Sequence, residues 1–109
     1  MVGPKYTCGM GDPLDMLGEE CTEIAQAIFK LRRFGPQGAI GSGYDGPPPL
    51  DQIHQEIGDF MAVFVHLVSE GFLDPKAVEL AIHDKRQRVK RLFGVELSRD
   101  AIDLRSRKL

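Results

Sequence analysis

Apolar residues recur every three to four positions along three long stretches of the chain, and this spacing predicts three amphipathic helices. The predicted helices cover 13 to about 34, 50–70 and 75–93. Ser98 could cap a short fourth helix over about 99–107. No segment shows the apolar/polar alternation of a half-buried strand. The pattern therefore predicts an all-α fold, a small antiparallel bundle of about four helices.

Start and stop signals bound the predicted helices. An aspartate that can cap a helix, followed by proline at the first helical position, stands at Asp12-Pro13 and at Asp74-Pro75. Glycine suits the position after the last helical turn, and a glycine follows each periodic segment: Gly35, Gly71 and Gly94.

The remaining segments lie outside the three long predicted helices. Residues 1–11 are interpreted as an N-terminal arm and 95–109 as a C-terminal tail. Residues 35–49 contain five glycines and four prolines and predict a loop of unusual length, which in compact domains is typically functional or disordered. With 109 residues in all, the prior expectation is a single domain over 1–109.

The first two predicted helices repeat one design at an offset of 36 residues. On helical wheels at about 100° per residue, Glu20 corresponds to Glu56 and Glu23 to Asp59. Each acidic pair is spaced i, i+3 on the rim of an apolar stripe. The apolar positions also correspond, as Leu14/Leu50, Leu17/Ile53, Ile28/Phe64 and Leu31/Leu67. If the two stripes pack together, the four acids converge, with Glu19 beside them.

Converging carboxylates predict a metal site. Two like charges ~4 Å apart near a protein surface repel by about 4 kcal/mol, so several such pairs need protons or cations. Oxygen ligands without histidine or cysteine favour Mg²⁺, with Mn²⁺ able to substitute. A di-iron bundle would require Glu-x-x-His on two helices. The only near match is Asp51 to His54, which disfavours that alternative.

Cations stand where a polyphosphate could use them. Lys30 lies two turns beyond Glu23 on the acidic side of the first helix, about 10 Å away. On the third helix, Lys85 and Arg88 are the candidates that could reach the site. The other basic residues there suit the helix macrodipole and water: Arg86, Lys90 and Arg91.

Composition narrows the class of protein. An apolar share of 42%, a charged share of 28% and a net charge of −2 are typical of a soluble globular chain with no nucleic-acid or membrane partner. No segment resembles a signal peptide or a membrane span, so we expect a reducing, cytoplasmic setting. Cys8 and Cys21 form no zinc motif, and Cys21 falls in the first apolar stripe, where we expect a buried free thiol.

Together these motifs resemble the MazG-like all-α nucleoside triphosphate pyrophosphohydrolases, particularly the compact members found in phages. That family's pattern is Glu-Glu-x-x-Glu on one helix and Glu-x-x-Asp on the next. Here it stands as Glu19-Glu20-Cys21-Thr22-Glu23 and Glu56-Ile57-Gly58-Asp59, followed by the basic helix AIHDKRQRVKRL. The resemblance covers about 14–93, and the spacing between the two motifs is longer than usual because of the Gly/Pro-rich loop.

The resemblance implies Mg²⁺ ligands at Glu20, Glu23, Glu56 and Asp59, with Glu19 as a further ligand or as the group that activates water. The implied reaction converts a nucleoside triphosphate to the monophosphate and pyrophosphate by water attack at the α-phosphorus. It also implies a homo-oligomer, a dimer or tetramer with sites near subunit interfaces, in the host cytoplasm if the chain is phage-encoded.

Three alternatives stay open. A relative acting on phosphoribosyl-ATP would share the fold and the acids. A helical nucleic-acid-binding module would use the basic helix, with affinity that falls with salt. A non-catalytic oligomeric protein would carry the acids as solvated surface. The base is also open: Tyr44 and Phe34 are candidates for stacking on it, and guanine nucleotides (dGTP or GTP) are one option that the resemblance offers.

Overall fold

A computed structural model describes residues 12–39 and 41–98, and all regular secondary structure within these ranges is α-helical. The helices are α1 (Pro13–Phe34), α2 (Pro49–Ser69) and α3 (Pro75–Phe93). The all-α prediction is confirmed for this part of the chain, with helix bounds within about one residue of those predicted. The predicted helix over 99–107 and the N-terminal arm over 1–11 lie outside the described residues.

The helix ends use the signals present in the sequence. Asp12 Oδ1 accepts a hydrogen bond from the backbone N–H of Leu14 at 2.8 Å, and Asp74 Oδ1 accepts one from Lys76 N–H at 3.0 Å. These caps satisfy backbone donors that have no partner inside the helix. At the other end of α3, Gly94 has a φ of 69°, a left-handed conformation that suits glycine.

The chain divides into two compact units, Met1–Leu73 and Asp74–Leu109, and each is described by itself. The first unit holds α1 and α2 as an antiparallel hairpin. The hairpin closes where Leu50 N–H donates to the carbonyl of Pro36 at 3.1 Å. In the described part of this unit only Ala27, Pro49 and Leu67 are buried, because two helices alone cover a narrow strip of each other.

The second unit holds α3 and the segment that follows it. After Gly94 the chain turns back along α3, where Lys90 Nζ forms an ion pair with Glu96 at 2.9 Å. Arg86 Nε donates to the carbonyl of Leu97 at 3.3 Å. Two of the five clustered basic side chains of α3 therefore hold the returning segment. Among the described residues, no helix has both the length and the apolar character needed to cross a membrane.

Candidate metal centre in the first helical hairpin

Packing of α1 against α2 brings acidic side chains from both helices together. One carboxylate oxygen from each of Glu20, Glu56 and Asp59 can be chosen so that all three lie within 4.8 Å of one another. Glu56 and Asp59 meet because residues three apart share one side of a helix. Glu20 joins them from the rim of the α1 apolar stripe, as the wheel of the first helix predicts.

Glu23 belongs to the same group. Its carboxylate raises the pKa of both Glu20 and Glu56 by charge repulsion, and protonated Glu56 would donate a hydrogen bond to it. We call Glu20, Glu23, Glu56 and Asp59 the carboxylate cluster. Glu19 stands at its edge, since its charge makes the smallest contribution to the raised pKa of Glu20.

Two oxygens of the carboxylate cluster are buried without a hydrogen-bond donor. Glu20 Oε2 and Glu56 Oε2 are shielded from solvent and have no hydrogen-bond partner among the described residues. The side chains of both glutamates are half-buried, whereas Asp59 is exposed. A buried carboxylate oxygen without a donor is unfavourable unless a proton or a cation is supplied. Within 12–39 and 41–98, the cluster therefore lacks a positively charged partner.

The raised pKa values of Glu56 and Glu20 also indicate that positive charge is missing at the cluster. The pKa of Glu56 is raised from 4.5 to about 7 by the hydrogen bond that its protonated form donates to Glu23, by burial, and by the charges of Glu23, Asp59 and Glu20. Burial is the main cause of the raised pKa of Glu20, followed by the charges of Glu23 and Asp59. At pH 7 Glu56 is therefore protonated in about half of the molecules, at a place where a cation would fit.

The chemistry of the donors fits a hard divalent cation. The cluster offers carboxylate oxygens from two helices, the ligand type preferred by Mg²⁺ and Mn²⁺. Cys21 is not part of it: the thiol is free and exposed, so the expectation that it is buried is wrong for this hairpin. A helical wheel gives the side of α1 on which Cys21 lies, but not how far α2 reaches over that side.

Lys30 lies on the flank of the hairpin that carries the acids. Its Nζ donates to Gln52 Oε1 across the two helices, at a distance of 3.5 Å. Sequence reasoning missed Gln52. The available signal was its position four residues before Glu56, which places both residues on one side of α2.

Lys85 and Arg88 belong to the second compact unit. Lys85 lies beside Val78 and Ile82 at a shallow hollow along α3. Arg88 lines a separate hollow with Ala81 and Arg91. Both side chains are exposed, and their predicted role in binding phosphate stays a prediction.

The two aromatic candidates pack on each other. The ring centroids of Phe34 and Tyr44 are 4.9 Å apart, and the Tyr44 hydroxyl donates to the carbonyl of Pro47 at 2.6 Å. Both side chains are half-buried. In this arrangement the tyrosine organises the long loop, and its use as a base-stacking platform stays a prediction.

Comparison with known proteins gives no match: none is found among protein-family models, among curated proteins or among solved structures. The features that bear on function are therefore the carboxylate cluster itself and the resemblance of the acidic motifs and basic helix to those of the MazG-like enzymes.

Proposed function

We propose that this chain is a metal-dependent nucleotide pyrophosphohydrolase of the MazG-like type, converting (d)NTP and water to (d)NMP and pyrophosphate. The observation that carries the proposal is the pair of donor-free buried oxygens, Glu20 Oε2 and Glu56 Oε2, beside Asp59 and Glu23 in the carboxylate cluster. Solvated surface acids keep their water and their ordinary pKa values. These two glutamates do neither, which favours a binding site over a surface patch.

The cluster residues are proposed to hold Mg²⁺, or Mn²⁺ in its place. Bound Mg²⁺ would neutralise negative charge on the phosphates and lower the pKa of a bound water. Glu19, at the edge of the cluster, is proposed to orient the attacking water or to accept its proton. The electron pair of the bond between the α-phosphorus and its bridging oxygen then leaves with pyrophosphate.

The phosphate chain needs cations beyond the cluster. Lys30 stands two turns along α1 from Glu23, about 10 Å away, a distance that suits the far end of a triphosphate. Lys85 and Arg88 are proposed as further phosphate contacts. A purine nucleotide such as dGTP or GTP is the first base to test.

The proposal includes assembly into a dimer or tetramer. Large apolar side chains of the predicted stripes stay exposed on the hairpin: Leu14 at 38%, Ile28 at 42%, Ile57 at 45% and Met61 at 36%. A second copy would cover them. Light scattering should give a mass of two or four chains for the wild type. Ile57→Glu should lower that mass, whereas Ala62→Glu, off the stripe of the same helix, should not.

The activity test is a panel of ribo- and deoxynucleoside triphosphates incubated with Mg²⁺ or Mn²⁺, with products resolved by chromatography. We expect a monophosphate and pyrophosphate in equal amounts. Glu20→Gln and Asp59→Asn should abolish the products, because each removes a ligand charge at the cluster. Asp51→Asn is the matched control, since this exposed carboxylate of α2 lies away from the cluster.

Other outcomes separate the alternatives. Release of orthophosphate alone, or no turnover of any nucleotide, would contradict the proposed reaction. Turnover of phosphoribosyl-ATP in preference to every nucleoside triphosphate would favour the alternative of a phosphoribosyl-ATP pyrophosphohydrolase. Salt-sensitive binding of nucleic acid that survives loss of Glu20 and Asp59 would favour the binding module.

A further inference from the structure

The long loop before α2 is organised around one tyrosine. The ring of Tyr44 lies so close to Gly38 that a Cβ there would come within 2.7 Å of Cδ1. A Cβ at Gly46 would come within 3.0 Å of the tyrosine hydroxyl oxygen. Phe34 packs against the same ring. These contacts and the bond to Pro47 fix where the Tyr44 hydroxyl stands relative to α2.

The loop determines which way the side-chain amide of Gln52 points. Its Nε2 donates to the carbonyl of Pro47 at 2.9 Å and also to the hydroxyl oxygen of Tyr44. A proline carbonyl can only accept, so the group facing it must be the NH₂ and not the oxygen. The Tyr44 hydroxyl donates its hydrogen bond to the carbonyl of Pro47, so towards Gln52 its oxygen can only accept. Oε1 of Gln52 is therefore turned away from the loop.

Oε1 of Gln52 contacts Lys30, and this contact lies on the same flank of the hairpin as the carboxylate cluster. Gln52 Oε1 accepts from Lys30 Nζ at 3.5 Å. Lys30 comes seven residues after Glu23, and Gln52 comes seven residues before Asp59. In an antiparallel pair these steps run in the same direction along the hairpin, by about 10 Å each. The contact between Lys30 and Gln52 thus lies on the acid-bearing flank, two turns from the cluster.

We propose that Gln52, oriented by Tyr44 and Pro47, is a positioning residue that holds the ammonium group of Lys30 on this flank to bind the distal phosphates of a nucleotide. An ammonium group has three N–H donors, so the bond to Gln52 leaves two for phosphate oxygens. The inference rests on the proposed function. It assigns the Gly/Pro-rich loop a role at the site: the loop orients an acceptor that restrains the flexible side chain of Lys30.

The position of Lys30 predicts a kinetic signature. At about 10 Å from the cluster, the lysine would contact the terminal phosphate, which lies farthest from the breaking bond and gains little of the charge that develops on the bridging oxygen. Losing such a contact raises KM and leaves kcat nearly unchanged. Lys30→Met should raise KM about tenfold or more. Gln52→Leu should raise it about fivefold, because Lys30 keeps its charge but loses its restraint.

A double-mutant cycle tests whether Gln52 acts through Lys30. Gln52→Leu should have no further effect in the Lys30→Met background, and Lys30→Arg should recover most of the affinity. Gln37→Leu is the matched control, an exposed glutamine of the same loop. Tyr44→Phe keeps the ring and removes only the hydroxyl. If Gln52→Leu folds poorly, this variant still tests whether the orientation of Gln52 affects Lys30. It should weaken binding in the same direction, and only when Lys30 is present.

Binding of inorganic triphosphate in the presence of Mg²⁺, measured by calorimetry, separates this inference from the proposed reaction. Non-additive weakening by Lys30→Met and Gln52→Leu supports the inference even if no nucleotide is turned over. Normal turnover with an unchanged KM in Gln52→Leu overturns the inference and leaves the reaction standing. Additive effects of the two variants, or no affinity of the wild type for triphosphate, overturn it as well.

Discussion

Lowering the pH should weaken the proposed binding of Mg²⁺, because Glu56 must lose a proton before its carboxylate can hold a cation. The pKa of Glu56 is about 7, so the group is about half protonated at pH 7 and almost fully protonated at pH 5.5. Below about pH 7 the apparent affinity should fall roughly tenfold per pH unit. Between pH 8 and pH 5.5 the expected loss is about 30-fold, and the raised pKa of Glu20 acts in the same direction.

Calorimetric titration with Mg²⁺ at pH 5.5, 7 and 8 measures this dependence. At pH 7, buffers that differ in ionisation enthalpy should report about half a proton released per metal bound. Glu56→Gln should remove most of the proton release along with most of the affinity. Asp51→Asn, a carboxylate of α2 away from the cluster, should change neither. An affinity that is constant from pH 5.5 to 8, with no dependence of the heat on the buffer, would refute the reasoning.

The same pKa shift determines whether the stability of the metal-free protein rises or falls with pH. Because the folded state raises the pKa of Glu56 from 4.5 to about 7, protonated Glu56 stabilises the fold. That contribution is fully present below about pH 4.5 and is lost as the pH rises through about 7. The Tm of the metal-free chain should therefore fall over this window, and saturating Mg²⁺ should reduce the fall.

Two further predictions concern stability, each read by chemical denaturation. Leu67→Ala should cost about 2–5 kcal/mol, because Leu67 is fully buried in a hairpin with few buried residues, whereas Val65→Ala, 57% exposed, should change stability by less than about 0.5 kcal/mol. Gly38→Ala and Gly41→Ala share a positive φ, of 75° and 82°, but only the first places a Cβ against Tyr44. Gly38→Ala should therefore destabilise more; equal losses would contradict the packing of the loop around Tyr44.

The sequence predicts the helices well because their determinants are local. Asp74 before Pro75 and a glycine at position 94 act within one turn, so no distant contact is needed to place the ends of α3. The start of α2 was predicted one residue late. It has no side-chain cap and begins at Pro49, whose fixed φ already suits a first helical position.

The convergence of the acids was also predictable, since it follows from helical periodicity and the packing of two stripes. Wheel positions place Glu20 and Glu56 on facing rims, and the structure brings their carboxylates together with Asp59. What a wheel cannot give is the width of the covered strip. Cys21 lies in the α1 stripe and is nevertheless exposed, because α2 is the one neighbour that α1 has within the described hairpin.

The loop was beyond sequence reasoning for a different physical reason. Its contacts are not periodic: Tyr44 reaches Gly38, Pro47 and Gln52 at separations that no repeat specifies. Composition shows that the segment between α1 and α2 is a loop but not that one ring organises it. A glutamine in α2 then acquires a fixed orientation from contacts made outside its own helix.

If the proposed function holds, two features that destabilise the isolated hairpin would be relieved by the binding of Mg²⁺ and of a second copy of the chain. The carboxylate cluster holds donor-free oxygens on one flank, and stripe residues such as Ile57 and Met61 stay exposed elsewhere on the hairpin. A ligand that binds only the folded state stabilises it in proportion to the logarithm of ligand concentration over Kd. Mg²⁺ at the cluster and a second copy over the apolar stripes would therefore stabilise the same hairpin independently. The Tm should rise with metal at fixed protein concentration, and with protein concentration at fixed metal.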